Sequence, residues 1–393
     1  MIKKVLPFIV VIVLIGCKTN TFTVDYFGQS EPESTPVIFG EDIISKKNRF
    51  EHGISLTPNG RELAFGILDE NADRGKIFYS QKIKDKWTSP QNFKPLGNGS
   101  VFLPYFTPDG KSLLYAQSIP DTNNFYITDI WTLERIIGNW GPPIKLPAPL
   151  SSISRETTAS MTNDGTIYFS SNRDCEEKEN CYTADLFHSK LVDNEYRIVK
   201  EISELNSAND EESVFISPRE DYILFCRYTD NESLVDLYIS YRDHYNKWTE
   251  PQILDSTINS NDWYRRPYVS IDNKFLFFTR LQIANEVLIE SDIYWVNTSK
   301  VFKPFVYNPL SDITLKVGEK FELPIPVDYF KDIDDKLLIL SVSQDEFDWL
   351  EFDNKNMKLS GLPTQKGDFE LTFTAGDTFS NRIENKVKIS VIK

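Results

Sequence analysis

Short apolar runs and tight polar turns alternate along residues 50–297 with a period near 50 residues. The turns read Leu56-Thr-Pro-Asn-Gly60, Phe106-Thr-Pro-Asp-Gly110, Met161-Thr-Asn-Asp-Gly165, Ile216-Ser-Pro-Arg-Glu220 and Val269-Ser-Ile-Asp-Asn273, spaced by 50, 55, 55 and 53 residues. A hydroxyl residue, often a proline next, then Asp, Asn or Gly is the composition of a tight β-turn. An apolar strand precedes each turn and another follows it, as in Glu62-Leu-Ala-Phe65 and Tyr222-Ile-Leu-Phe225. A third strand recurs as Lys76-Ile-Phe-Tyr79, Asp129-Ile-Trp131, Asp185-Leu-Phe187, Asp236-Leu-Tyr238 and Asp292-Ile-Tyr294. A fourth recurs as Trp87-Thr-Ser-Pro90, Trp140-Gly-Pro-Pro143 and Trp248-Thr-Glu-Pro251, with Tyr196-Arg-Ile-Val199 in its place in the third repeat. Four short strands per repeat of this length predict the blade of a β-propeller.

The chain is therefore expected to be all-β, with a five-bladed propeller over residues 36–303; six blades is the alternative, if one is too degenerate to recognise. The fifth repeat stops after Trp295 without a fourth strand. Pro36-Val-Ile-Phe-Gly-Glu-Asp-Ile-Ile-Ser45 is similar to Pro251-Gln-Ile-Leu-Asp-Ser-Thr-Ile-Asn-Ser260, so the leading segment is expected to complete the last blade and remove its exposed edge. Residues 308–393 lack the repeat. Their strand-length alternation, through Leu310–Glu319, Trp349-Leu-Glu-Phe352, Leu359-Ser-Gly-Leu-Pro363 and Phe369–Asp377, predicts a β-sandwich of immunoglobulin type.

The Thr/Ser-Pro-Asp-Gly turn followed by an apolar strand resembles the TolB-type, WD-repeat-like propeller repeats, over about residues 22–300. The segment from Tyr26-Phe-Gly-Gln29 to Phe39 also resembles one found in lipoproteins of that group. This resemblance speaks to fold. TolB carries an α/β domain ahead of its propeller and no such domain is read here, so a role in the Tol system is not carried over. The C-terminal motif order resembles the dystroglycan-type cadherin-like domain. That resemblance implies that Asp332, Asp334, Asp335 and Asp377 could take calcium, which wants about six to eight oxygens. The alternative is a solvated acidic turn that specifies the fold. No other cofactor is expected.

Lys3 and Lys4 precede an apolar run, Val5 to Ile15, broken by Pro7 and too short for a permanent span. It ends in Leu14-Ile15-Gly16-Cys17, which resembles the bacterial lipobox. The resemblance implies that residues 1–17 form a lipoprotein signal peptide and lipobox, with acylation of Cys17 as the new N-terminus; an ordinary cleaved signal is the alternative. Residues 18–35 read as a linker. Lys18 stands where aspartate marks inner-membrane retention, so an outer-membrane lipoprotein on the periplasmic or cell-surface face is expected. A formal charge of −15, from 58 acidic and 43 basic residues, argues against nucleic acid as a partner. Cys175 and Cys181 flank a hydrophilic loop and are expected to form a disulfide in an oxidising compartment. Cys226 lies in a strand pattern and reads as a buried thiol.

Seven residues before the proline of each turn, or its equivalent, lie Glu51, Val101, Glu156, Glu211 and Tyr264. This count places three glutamates at the mouth of the propeller channel, with Arg227 and Arg280 ending second strands on the same face and Arg265 and Arg266 beside Trp263 and Tyr264. Converging carboxylates could serve a glycosidase, which needs two carboxyls roughly 5–9.5 Å apart. The glutamates, however, recur at one repeat position, as a blade consensus would. His52, His188 and His244 fall at three different blade positions, and no nucleophilic triad can be assembled. The expected function is a membrane-anchored binding module for a protein or glycan ligand, without catalysis; a propeller carbohydrase is the alternative. If Cys17 carries the anchor, Cys17→Ser should move the protein to the soluble fraction or stall its processing; unchanged membrane fractionation would refute this.

Overall fold

Each repeated turn is closed by its own first hydroxyl. The computed structural model describes residues 25–70, 74–118, 127–175, 183–229, 234–285, 287–343 and 347–393. In it Thr107 Oγ1 donates to Asp109 Oδ1 at 2.7 Å and accepts from the Ser112 amide at 3.0 Å. Thr57 does the same with Asn59 and the Glu62 amide, and Ser270 with Asp272 and the Phe275 amide. A short side chain thus satisfies an amide that the reversal would leave unpaired. Cys17 and Cys181 lie outside the described residues.

The turns join antiparallel strands into five successive units among the described residues. Their inner strands are Phe50–Leu56, Val101–Phe106, Glu156–Met161, Glu211–Ile216 and Trp263–Val269. Second strands follow at Glu62–Leu68, Ser112–Ser118, Ile167–Ser171, Tyr222–Tyr228 and Phe275–Ala284. Third strands are Gly75–Ile83, Thr128–Ile136, Asp185–Val192, Val235–Tyr241 and Val287–Asn297. Each inner strand packs on the next, and the fifth packs back on the first, so the units encircle one axis.

The outermost strand follows the proline content. In the third unit, which has none there, Glu195–Glu201 pairs along the third strand as one piece. In the first and second units the stretch splits: Lys86–Trp87 and Asn139–Trp140 pair first, then Gln91–Asn92 and Ile144–Lys145 pair beyond the prolines. Proline has no amide to offer a ladder, so pairing lapses where it stands. The tryptophans cap the outside instead, with the guanidinium carbon of Arg242 3.8 Å from the Trp248 ring centre and that of Arg135 4.0 Å from Trp140.

The fifth unit is completed from the front of the chain. Val37 pairs with Trp295 and Ile38 with Tyr294, and the Phe39 amide donates to the Ile293 carbonyl at 2.8 Å. The pairing is short because the chain turns back at Gly40, whose φ of 58° suits glycine. Phe39 is fully buried, with its ring 5.0 Å from Phe277 and 5.3 Å from Trp295.

Beyond Phe302 the chain forms an Ig-like pair of sheets. One holds Ile313–Lys316, Arg382–Ile392, Gly367–Gly376 and Ile339–Val342; the other holds Phe321–Pro324, Lys358–Gly361 and Leu350–Asp353. Trp349, Leu359, Phe373 and Val387 fill the space between them. The junction with the ring is packed: Phe305 stacks on Tyr241 at 4.3 Å, and the Asn381 side-chain amide donates to the Ser299 carbonyl at 3.2 Å. The described residues contain no α-helix.

Closure by Phe39 generates a prediction. Phe39→Ala should cost about 3–5 kcal/mol in equilibrium denaturation. Val37→Ala, at a side chain 40% exposed, should cost far less. Equal losses would show that the ring is not held by the buried ring of Phe39.

Candidate functional site

Every inner strand carries a β-bulge at the same repeat position. Pairing with the second strand slips after His52, Phe102, Thr157, Glu212 and Arg265. The next residues, Gly53, Leu103, Thr158, Ser213 and Arg266, have φ of 70°, 58°, 44°, 62° and 56°. Glycine adopts this region freely; the other four hold it against a cost of order 1–3 kcal/mol each. Bulges re-aim side chains, and these five meet at the axis. Arg266 Nη1 donates to Thr158 Oγ1 at 2.6 Å and to Ser213 Oγ at 2.7 Å, and its Nε donates to His52 Nε2 at 3.0 Å. A β-carbon added to Gly53 would lie 3.6 Å from Arg266 Cβ and 3.7 Å from Leu103 Cδ2.

Glu212 neutralises part of this charge from below. Its Oε1 accepts from Arg155 Nη2 at 2.5 Å, and its Oε2 lies 3.6 Å from Arg265 Nη1 and 3.7 Å from Arg266 Nη2. Burial works to raise the Glu212 pKa, but Arg155, Arg265 and Arg266 outweigh it and hold the carboxyl below its usual range. Burial lowers the Arg266 pKa to about 10. His52 is pushed well below the usual histidine range by burial and then by Arg266 and Arg265, so it is neutral. Because its Nε2 accepts from Arg266, its proton sits on Nδ1, which is buried and has no partner.

Above this floor opens a cavity of ≈ 270 Å³. Leu68, Phe102, Leu103, Leu281, Ile283 and Leu288 form its apolar wall, and Trp263 adds an indole. Arg155, Arg265, Arg266 and His52 reach it from the floor, Ser118, Thr128 and Thr157 add hydroxyls, and among the described residues no carboxylate lines it. The Arg265 guanidinium carbon lies 4.9 Å from the Tyr228 ring centre and 5.1 Å from that of Trp263, while its Nε is buried without a hydrogen-bond partner.

The residues singled out by repeat counting occupy other places. Glu51, Glu156 and Glu211 are 0% exposed and Tyr264 is 2% exposed, so they do not form a rim at the channel mouth. The Ser152 amide donates to Glu156 Oε2 at 2.9 Å and the Ser207 amide to Glu211 Oε2 at 3.1 Å, tying each preceding loop to its inner strand. Arg227 Nε donates to Glu211 Oε1 at 2.7 Å, and Arg173 Nη2 to Glu156 Oε1 at 3.0 Å in the same relation. Arg280 pairs with Asp262, and Tyr264 bonds Ser260. The physical reason is alternation: successive strand residues face opposite sides, so the next residue along faces the cavity. Arg265 and Arg266, noted in the sequence beside Trp263, are at the site, and Glu212 and Arg155 join them.

In the C-terminal domain Asp335 Oδ2 accepts from the Thr378 amide at 2.7 Å, and Asp377 Oδ1 from the Asn381 amide at 2.7 Å. Asp332 Oδ1 accepts from the Asp334 amide at 3.1 Å, and Thr298 Oγ1 of the ring donates to Asp334 Oδ2 at 3.2 Å. Among the described residues no group of three or more His, Cys, Asp or Glu side chains is arranged to hold a metal ion.

Residues 303–392 match the He_PIG family model, described as "Putative Ig domain". A search of curated proteins returns no match. Among solved structures, a "putative alpha-galactosidase" of Bacteroides fragilis is similar at 23% identity and TM-score 0.19, over 23% of this chain and 18% of that one. The chain thus spans under a fifth of that protein. The catalytic domain of a GH62 α-L-arabinofuranosidase of Coprinopsis cinerea is similar over 68% of this chain and 98% of that one, at 10% identity and TM-score 0.42. The β-propeller domain of the Trilobed protease of Pyrococcus furiosus is similar over 61% and 78%, at 13% identity and TM-score 0.33.

Glu51 differs from its counterparts because Arg49 reaches only Oε1 and Oε2 has no partner. Burial, the largest influence, raises its pKa from 4.5 to about 7. The folded state therefore holds an extra proton between these values, and stability falls as pH rises through that window. Glu51→Gln lacks this loss. Its melting temperature relative to the native protein should be higher at pH 8 than at pH 5; a pH-independent difference would refute the assignment.

Proposed function

We propose that this chain is an extracytoplasmic binding module, anchored to the outer membrane by lipid on Cys17, that binds a protein or glycan ligand without catalysis. In this reading the five units are the blades of a closed, five-bladed propeller of TolB type. The C-terminal domain, of cadherin-like type, is a spacer or a second contact. The observation that carries the reading is the axial cavity. It combines an apolar wall with a few convergent polar groups, the usual make-up of a ligand site.

The same cavity disfavours the carbohydrase alternative. Two-carboxylate glycoside hydrolysis needs one carboxyl to donate a proton and another to attack or to activate water. Among the described residues the lining has none. Glu212, beneath the floor, is held ionised by three guanidiniums. Asp210, whose pKa is raised by burial and by Glu212, accepts from the Ala184 amide at 2.7 Å and is not part of the wall.

Glycan and protein arrays probed with the purified protein, paired with a hydrolysis screen, test the proposal. The expected result is retention of a ligand with no turnover. Hydrolysis that disappears in Glu212→Gln would favour the carbohydrase instead.

A further inference from the structure

We infer that the group received by the axial cavity is a carboxylate carried on an apolar body, such as an aryl or branched alkyl acid. This rests on the reading of the cavity as a binding site and names the chemistry it selects. Three guanidiniums gather at the floor around the carboxylate of Glu212, with Asp210 acting on Arg155 and Arg265 from outside the wall, and no acidic residue among those described lines the space. Their combined excess of positive charge stands in a chain whose formal charge is −15.

Donors are also left over. Arg265 lies over the Tyr228 and Trp263 rings and approaches Glu212 at 3.6 Å, and its Nε is buried without a hydrogen-bond partner. Arg155 uses Nη2 on Glu212 and is itself one of the lining residues. His52, 6% exposed, carries a buried Nδ1 without a hydrogen-bond partner. A buried donor without a partner costs stability that a ligand acceptor restores, and a guanidinium matches a carboxylate through two parallel hydrogen bonds.

The wall decides the rest of the ligand. Leu68, Leu103, Leu281, Ile283 and Leu288 offer no partner for hydroxyls, and the hydroxyls of Ser118, Thr128 and Thr157 cover only part of the described lining, so a body that is polar all round would bury some of its groups unsatisfied. Phe102 and the Trp263 indole suit a ring or a branched chain. The hairpin of the fifth unit sets Ile283 and Leu288 in this wall together with residues of the first and second units. Two sources share this chemistry: a free organic acid, and the C-terminal apolar residue of a peptide.

Calorimetric titration of the full-length protein in detergent at low salt distinguishes them. The probes are 3-phenylpropanoate, its amide, N-acetylphenylalanine and glucuronate. Both apolar acids should bind, with the amide weaker by about tenfold or more. Arg265→Gln should weaken acid binding by about tenfold or more. Ile283→Trp, which fills the cavity without touching the charges, should abolish it and decides the matter if Arg265→Gln fails to fold. Preference for 3-phenylpropanoate points to a free acid, and preference for N-acetylphenylalanine to a peptide end. Equal binding of acid and amide, tighter binding of glucuronate, or no binding of either acid at about 10 mM would each overturn the inference. An array ligand that survives both substitutions would remove this cavity as the site yet keep the binding module. Acid binding without any array ligand would do the reverse.

Discussion

A buried guanidinium on the ring axis is the constraint around which the inner strands are arranged. Arg266 is held by His52 of the first unit, Thr158 of the third and Ser213 of the fourth, and it packs beside Gly53. A cation taken from water at this depth must be neutralised and hydrogen-bonded, or it costs several kcal/mol. Glu212 supplies the charge and the hydroxyls supply the acceptors. Because desolvation offsets most of what such a pair gains, its effect is felt as registry: the strands that reach Arg266 can do so in only one alignment.

The recurrent bulge follows from that requirement. A regular strand would turn the residue after Glu212 or Arg265 away from the side its neighbour faces, whereas a left-handed step keeps both near the axis. The strain held at Leu103, Thr158, Ser213 and Arg266 is therefore concentrated at the cavity floor. It also leaves Arg265 and His52 with hydrogen-bonding capacity that the fold does not use. In a water-poor recess such groups act more strongly than on the surface, so a small positive region can prevail locally in a strongly acidic chain.

The Ig-like domain is joined to the ring by contact as well as by the chain. Tyr241 and Phe305 stack in parallel, and the His244 amide donates to the Tyr307 carbonyl at 2.9 Å. The aspartate-rich turn lies at this seam, with Asp334 accepting from Thr298 of the ring. The residues that resemble a calcium loop are thereby engaged in local turns and in the junction, a use that their sequence pattern does not distinguish from metal binding.

Much of the architecture was legible because it rests on local chemistry. The five hydroxyl-led turns, the strands that flank them and the likeness of Pro36–Ser45 to Pro251–Ser260 depend on residues close in sequence, and the pairing of Val37 with Trp295 follows from that likeness. The site was less legible. The repeat count reached the right strands but stopped one residue short, on Glu51, Glu156, Glu211 and Tyr264, which are buried anchors for their own loops. Side-chain alternation makes a one-residue difference decisive, and the bulges shift the alternation again at the next position. By itself the sequence determined an all-β chain of repeated turns followed by a domain of different strand pattern, since turn chemistry and apolar period are local. Only the tertiary structure decided which side chains meet at the axis, because Arg266 finds His52, 214 positions away, and Thr158, 108 positions away, through closure of the ring.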